Sequence, residues 1–175
     1  GYSGKGGDYG LAAYGEYFYR IGKMEIDSIT KYSMHNPSKP IYTYRTIDNP
    51  DDSSSNPHDL IFVDENKAYL IQFALDHLWV VNPSATKQKD FKQKTIELSE
   101  FADADGFPDM YTGTIVDGKL YLVLQRLNQN YNFRPGDASA MVVVIDTTSD
   151  EVIDHIELET ANPQAIAYLD GFGLY

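Results

Sequence analysis

Residues 141–175 read MVVVIDTTSDEVIDHIELETANPQAIAYLDGFGLY, and this stretch decides the fold. Two runs rich in Val and Ile flank the polar segment DTTSDE, a pattern typical of two antiparallel strands joined by a tight turn. The stretch continues as NPQAIAYLDGFGLY, in which apolar residues lead into Asp170-Gly171. Because Asp-Gly between apolar runs is a strong β-hairpin signal, the stretch predicts the end of one antiparallel unit and the start of the next.

The same hairpin signal occurs upstream. NPHDLIFVDENKAYL from Asn56 and FPDMYTGTIVDGKLYL from Phe107 share its order of a Pro, alternating apolar residues, a turn Asp and a Tyr. A weaker copy, LAAYGEYFYRI from Leu11, has Gly15-Glu16 at the turn. The turn residues of the three clear copies follow one another at intervals of 53 residues: Asp64, Asp117 and Asp170. Self-similarity at a fixed period predicts a repeat architecture.

Two more strand-like segments follow each complete hairpin, so the repeated unit is a meander of four short strands. The third strands are predicted to begin at Ser28, His77 and Ala140, and the fourth strands at Ile41, Lys94 and Val152. Such a unit at this period predicts an all-β fold, a β-propeller with four-stranded antiparallel blades and an incomplete ring. The predicted blades are 1–46, 56–98 and 107–158, and 162–175 is the truncated start of another. A sandwich or barrel of a dozen strands is the alternative, but it predicts no fixed period.

The stretches 141–158 and 162–175 resemble the repeat of the YVTN-type propellers, which runs roughly VxVIDTxTxxVxxxIxxGxxPxxIAxxxDGxxxYV. NPHDLIFVDENKAYLIQ resembles the first hairpin of the same repeat. The resemblance implies a propeller, but the family's members bind, scaffold or catalyse different things. The repeats here are longer than the family's, and the last one stops within a blade. We therefore expect the chain to be part of a longer protein, or its open edges to pair with another copy.

Composition restricts the partners. The chain of 175 residues has a formal net charge of -12, which argues against binding nucleic acid or an anionic membrane surface. No apolar run approaches the roughly 20 residues of a membrane-spanning helix, so no membrane insertion is expected. With no Cys, thiol catalysis and Cys-based zinc sites are excluded. Together with the resemblance, these features favour a periplasmic or extracellular location, although no signal peptide is visible.

Three long connections are predicted to lie on one rim of the propeller: 46–59, 99–109 and 125–140. A meander places its connections alternately on opposite faces, and these three all follow a second or a fourth strand. The turns on the opposite face are predicted to be short. Because binding residues concentrate on loops that a rigid scaffold holds, we expect a binding site on this rim.

Candidate ligand-binding residues come from this rim and from the first strands, which line the central channel. His58, Asp59, Asp109 and Gln164 are predicted to point into the channel mouth, where a His beside an Asp can serve as a base or a ligand. Tyr131 and Arg134 belong to an aromatic and amide-rich loop and are typical anchors of an interface. Two of these residues have a purely structural alternative. His58 would cap the end of its strand, and Tyr131 would pack against its own loop and hold it in place.

The segment FADADGFPD places Asp103, Asp105 and Asp109 around Gly106. Asp-x-Asp-Gly opens many calcium loops, because a hard cation needs several oxygens from a short bent segment. The full EF-hand pattern is absent, and the alternative is a solvated acidic turn. We expect no cofactor unless this segment binds calcium.

The sequence therefore favours a non-catalytic binding or scaffold propeller of the bacterial envelope, whose partner is a protein or a small molecule such as a sugar. One alternative is a propeller enzyme, similar to lactonases, lyases or quinone-dependent dehydrogenases, with its site at the channel mouth. The other alternative is a calcium-stabilised, adhesin-like module.

Overall fold

The computed structural model describes residues 8–49, 53–127 and 139–175. Three four-stranded sheets and one short hairpin contain all the strands of these residues. The first sheet, blade 1, contains β1 (Tyr9–Tyr14), β2 (Tyr17–Gly22), β3 (Ser28–Ser33) and β4 (Asn36–Arg45). Blade 2 contains β5 (Pro57–Phe62), β6 (Ala68–Gln72), β7 (His77–Val81) and β8 (Lys92–Glu97). Blade 3 contains β9 (Met110–Val116), β10 (Lys119–Leu124), β11 (Met141–Asp146) and β12 (Glu151–Glu157), and the hairpin contains β13 (Tyr168–Leu169) and β14 (Gly173–Leu174).

Each sheet is an antiparallel meander in which neighbours in sequence are neighbours in space. The prediction of an all-β fold with four-stranded antiparallel blades is confirmed. Short 3-10 turns occur at Gln88–Asp90 and Ser99–Phe101. None of the helical segments among the described residues is long and apolar enough to cross a membrane.

The first strands of the blades lie side by side at the centre of the arc. β1 contacts β5, and β5 contacts β9. β6 is buried on both faces, because successive side chains of a strand point to opposite sides. Ala68 and Leu70 pack with blade 1, whereas Tyr69 and Ile71 pack with blade 3. The two hydrophobic cores therefore lie between the blades, as a propeller requires, and the ring is not closed.

One predicted boundary is wrong. The fourth strand of blade 1 is predicted to begin at Ile41, but β4 already begins at Asn36. β4 is the outermost strand of blade 1. Prolines, which lack the N–H for a strand ladder, are tolerated on such an edge. Pro37 and Pro40 therefore lie within the strand, and the register shifts beside them, between Lys31 and Ser33.

The expectation that turns opposite the long loops are short is wrong at 82–91, which we call the strap. The strap runs along blade 1 instead of turning directly from β7 to β8. The hydroxyls of Tyr42 and Tyr44 donate to the carbonyls of Pro83 and Ala85, at 3.0 and 3.1 Å. Lys31, which is buried, donates to Pro83 at 2.9 Å. The extra length therefore closes the outer edge of the interface between blades 1 and 2.

A left-handed residue precedes the first strand of each of the last three units. Asn56, Asp109 and Asn162 have φ of 45°, 52° and 55°, and they follow one another at intervals of 53 residues. Asn and Asp adopt this conformation more easily than other non-glycine residues. The main-chain carbonyls of Asn56 and Asp109 also accept the N–H groups of Phe73 and Gln125, each at 3.0 Å. These residues fix the direction in which the chain enters each blade.

Candidate functional site

The candidate site is the rim that carries the connections after second and fourth strands, which we call the loop rim. It has three long connections within the described residues. The first is 46–56, of which 46–49 and 53–56 are described, and the others are 98–109 and 158–167. The connection 125–140 also belongs to it, but residues 128–138 lie outside the described part of the chain. Tyr131 and Arg134 are among them, so their predicted role stays a prediction. On the described loops, Met24 is 58% exposed and Phe107 is 40% exposed.

Asp27 anchors the first of these long loops to the short connection 23–27. It is buried and lies in the connection between β2 and β3, in the left-handed conformation. Its Oδ1 accepts hydrogen bonds from the hydroxyls of Ser54 and Ser55 and from the N–H groups of Ser55 and Asn56, at 2.9–3.1 Å. One carboxylate therefore organises the end of the 46–56 loop.

Asp109 performs a similar role one blade further on. Its side chain is 5% exposed and accepts the N–H of Leu127, at the start of the next connection. Burial raises the pKa of the Asp109 carboxyl to about 7, and the negative charges of Asp105 and Asp103 act in the same direction. The predicted ligand-binding residue is therefore held inside the rim and is not extended into solvent.

The three predicted metal ligands come together. Asp103, Asp105 and Asp109 each offer a carboxylate oxygen, and these oxygens lie within 4.8 Å of one another. Two oxygens bound to the same Ca²⁺ at about 2.4 Å are at most about 4.8 Å apart, so the arrangement fits a calcium ion. One oxygen of each carboxylate accepts a main-chain N–H, from Asp105, Phe107 and Leu127 respectively. Burial and a hydrogen bond with Asp103 raise the pKa of Asp105.

Calcium is predicted to raise the melting temperature if this cluster binds it. At 10 mM Ca²⁺ and a dissociation constant of about 0.1–1 mM, a ligand of the native state adds about 1.4–2.7 kcal/mol. For a chain of this size that corresponds to a rise of roughly 3–10 °C. Asp105→Asn keeps an acceptor for the N–H of Phe107 but removes one charge, and it should abolish the rise. Asp64→Asn, in a distant turn, should keep it, and an unchanged melting temperature in the unsubstituted chain would rule the calcium site out.

His58 packs against aromatic rings at the start of β5. Its ring stacks on Phe73 and meets the edge of Tyr111, with centroid distances of 5.0 Å in both cases. Burial, together with the positive charge of Lys23, lowers the pKa of His58 to about 4, and the charge of Asp8 opposes this shift only in part. At neutral pH this side chain is therefore an uncharged member of an aromatic cluster.

His58 should make the fold less stable as the pH falls from 7 towards 4. The unfolded chain takes up a proton near pH 6.5, whereas the folded chain does so only near its lowered pKa. Lys23, Asp8 and Tyr111 are the titratable groups that face it. Unfolding in urea at pH 7.0 and 4.5 should show that His58→Phe removes about 2 kcal/mol of this pH dependence.

Gln164→Leu is the control for this measurement, because Gln164 is exposed and its side chain has no titratable group. Its pH dependence should equal that of the unsubstituted chain. An unaltered pH dependence in His58→Phe would contradict the predicted role of His58.

The remaining channel residues have their own partners. Asp59 accepts the hydroxyl of Thr112 at 2.7 Å and its own neighbouring N–H, from Leu60, at 2.8 Å. Gln164 is exposed on the connection between β12 and β13. No hydrogen bond or ion pair of the described residues joins His58, Asp59 and Asp109 to one another. The structure thus brings the three aspartates of the predicted metal cluster together but does not link the predicted channel residues.

Asp27 is the site residue that sequence reasoning missed. The groups that donate to its carboxylate lie 27 to 29 residues further along the chain, so no local pattern reveals them. The recurring Asn or Asp before each first strand, in contrast, is visible in the sequence at the 53-residue period.

Comparison with known proteins supports the fold. No family model matches the chain, and no curated protein sequence matches it. Among solved structures, the chain is similar to Sqt1 of Saccharomyces cerevisiae, with a TM-score of 0.66 and 6% identity over 95% of this chain. It is similar to the WD40 β-propeller domain of Doa1, with a TM-score of 0.61 and 12% identity over 95% of this chain. A putative 6-phosphogluconolactonase of Bacteroides fragilis matches 89% of this chain at 12% identity, with a TM-score of 0.57.

These similarities concern the propeller fold alone, because all the identities are low. The chain spans 39% of the Sqt1 chain, 45% of the Doa1 domain and 44% of the putative lactonase. The neighbours include a putative enzyme as well as a WD40 domain, so the fold does not select between binding and catalysis.

Proposed function

We propose that this chain is a non-catalytic binding or scaffold propeller of the YVTN type, which holds a protein partner with its loop rim. The observation that carries the proposal is that buried carboxylates tie the long loops of one rim together. Asp27 joins 23–27 to 54–56, and Asp109 joins the entry of blade 3 to Leu127. Loops that are already fixed lose little conformational freedom on binding, which favours affinity.

The chemistry of the rim suits a protein surface. Met24 and Phe107 offer exposed apolar groups, and Glu25 and Asp105 supply negative charge close to them in the chain. Exposed apolar side chains surrounded by polar ones are typical of protein interaction sites. A sugar or another small molecule is the alternative ligand, and it would use the same loops.

The proposed location is the periplasm or the exterior of a bacterial cell. The support is compositional: the chain has no Cys and a net charge of -12, and its 141–175 stretch resembles the YVTN-type repeat. Fractionation of the cells that produce the protein tests this location.

The described residues give less support to an enzyme. General acid–base chemistry requires groups within hydrogen-bond reach of a common substrate atom. His58 is half-buried between aromatic rings, Asp59 is hydrogen-bonded to Thr112, and Asp109 is hydrogen-bonded to Leu127.

Photo-crosslinking from matched positions tests the proposed binding rim. A benzophenone amino acid replaces Met24 or Phe107 on the loop rim, or Met34 or Tyr14 on the opposite rim; all four positions are exposed apolar ones. In the producing cells, the loop-rim positions should crosslink to one discrete protein band that the opposite positions do not yield. Equal crosslinking from both rims, or none from the loop rim, would contradict the proposal.

A further inference from the structure

A cavity of about 370 Å³ lies on the outer flank of the interface between blades 1 and 2. Pockets that hold small ligands typically measure about 300–1,000 Å³. Arg45 and Asp48 line it from the end of β4 and the residues that follow, and the buried Trp79 of β7 lines it from blade 2. Lys89 of the strap and Lys92 of β8 complete the charged part of its wall.

The cavity is basic although the chain is acidic. Three basic side chains and one acidic side chain line it, whereas the whole chain has a formal net charge of -12. Lys92 is neutralised by Asp48, whose Oδ2 lies 2.6 Å from its Nζ. The guanidinium of Arg45 and the ammonium of Lys89 have no hydrogen-bond or ion-pair partner among the described residues. Two cations that line one cavity without a partner are suited to an anion.

One wall of the cavity contains the buried ring of Trp79. Trp79 is 2% exposed, and its indole N–H makes no hydrogen bond within the described part of the chain. The Nζ of Lys92 lies 4.2 Å from the centre of the indole ring. The indole ring and the ammonium of Lys92 therefore form a cation–π pair in the wall of the cavity.

The two walls of the cavity are held at a fixed separation. The side chain of Gln88 in the strap accepts the N–H of Arg45 at 2.7 Å and donates to the carbonyl of the same residue at 3.2 Å. This pair of hydrogen bonds connects the strap to the edge of blade 1. The cavity therefore exists before a ligand arrives.

We propose that this cavity binds a small organic anion through a carboxylate or phosphate group. Arg45 and Lys89 contact the anionic oxygens, and the ring of Trp79 lies in the wall beside them. The site shares Ile47 and Asp48 with the first connection of the loop rim, and the rest of its lining belongs to β4, the strap, β7 and β8.

The chain contains a single Trp, so its indole N–H resonance reports on this cavity alone. We would titrate the folded protein with inorganic phosphate, glucuronate and glucose at constant ionic strength and follow that resonance. Phosphate or glucuronate should shift it in a saturable manner, whereas glucose, which has no charge, should not. Saturation by phosphate alone identifies a phosphate ligand, and saturation by glucuronate alone identifies a sugar acid.

Variants separate binding from general charge effects. Arg45→Gln and Lys89→Gln should each weaken the binding of the effective anion by roughly 5-fold, in line with the energy of exposed charge pairs. Lys39→Gln, which changes another exposed residue on β4 outside the cavity, should leave it unchanged. A resonance that none of the probes shifts at 20 mM, a shift that stays linear, or equal effects of all three variants would overturn the proposal.

Discussion

Replacing Phe91 by alanine should destabilise the fold by about 3–5 kcal/mol, the usual loss for a phenylalanine in a well-packed core. Phe91 is fully buried at the end of the strap, between blades 1 and 2. Its ring lies 5.4 Å from the ring of Tyr44 and 6.3 Å from that of Tyr42. Its carbonyl also accepts the N–H of Asn82 at 2.7 Å, which closes the base of the strap.

Unfolding in urea, followed by circular dichroism, measures this loss. Phe107→Ala is the matched control, because it removes the same atoms from a side chain that is 40% exposed. That change should cost less than about 1 kcal/mol. A loss in Phe91→Ala no greater than that of the control would show that the strap does not hold the two blades together. The fluorescence of Trp79, which packs in the same core, provides a second readout.

Replacing Asp27 by alanine should cost about 3–4 kcal/mol. The change leaves the donors of Ser54, Ser55 and Asn56 without their common acceptor inside the protein, and each lost bond to a charged group is worth about 1.5–3 kcal/mol. The bonds share one oxygen and the serine hydroxyls can turn to water, so the sum is smaller than the separate values.

Glu25→Ala is the control for Asp27→Ala. Both residues lie in the same connection, both are acidic, and both have left-handed backbones, with φ of 58° for Glu25 and 41° for Asp27. The side chain of Glu25 is exposed and makes no hydrogen bond among the described residues. Unfolding in urea should therefore show a change below about 1 kcal/mol for Glu25→Ala. Similar losses in the two variants would mean that backbone strain, and not the carboxylate, determines the effect of Asp27→Ala.

The strand order could be predicted from the sequence because both of its signals are local. Alternation of apolar residues defines strands, and Asp117-Gly118 supplies the left-handed pair that a tight hairpin turn needs. The path of the strap could not be predicted, because Pro83 and Ala85 are held by tyrosines 41 residues away. The early start of β4, at prolines, could not be predicted either, because prolines are accepted there only since β4 is the outermost strand of its sheet. No local pattern shows that position.

The candidate site could be predicted only where its residues are close in sequence. Asp103, Asp105 and Asp109 are close in sequence, and the bend at Gly106 brings their carboxylates together. His58 was predicted to be a channel residue, but the rings of Phe73 and Tyr111 that enclose it come from other strands and connections. The anchoring role of Asp27 depends in the same way on contacts across the fold.

The left-handed residues before the first strands allow the loops of the loop rim to be exchanged for other loops. Each loop begins after a residue whose N–H adds one more hydrogen bond between the third and fourth strands of its blade, which is Thr46, Leu98 or Leu158. Each loop ends at a left-handed residue, which is Asn56, Asp109 or Asn162. Between these fixed ends the chain already accommodates segments as different as 99–108 and 159–161. Lengthening, shortening or replacing a loop between its two ends should therefore leave the strand register intact, provided that the first loop keeps Ser54 and Ser55, which bind Asp27. The blades can keep their geometry while the recognition surface diversifies.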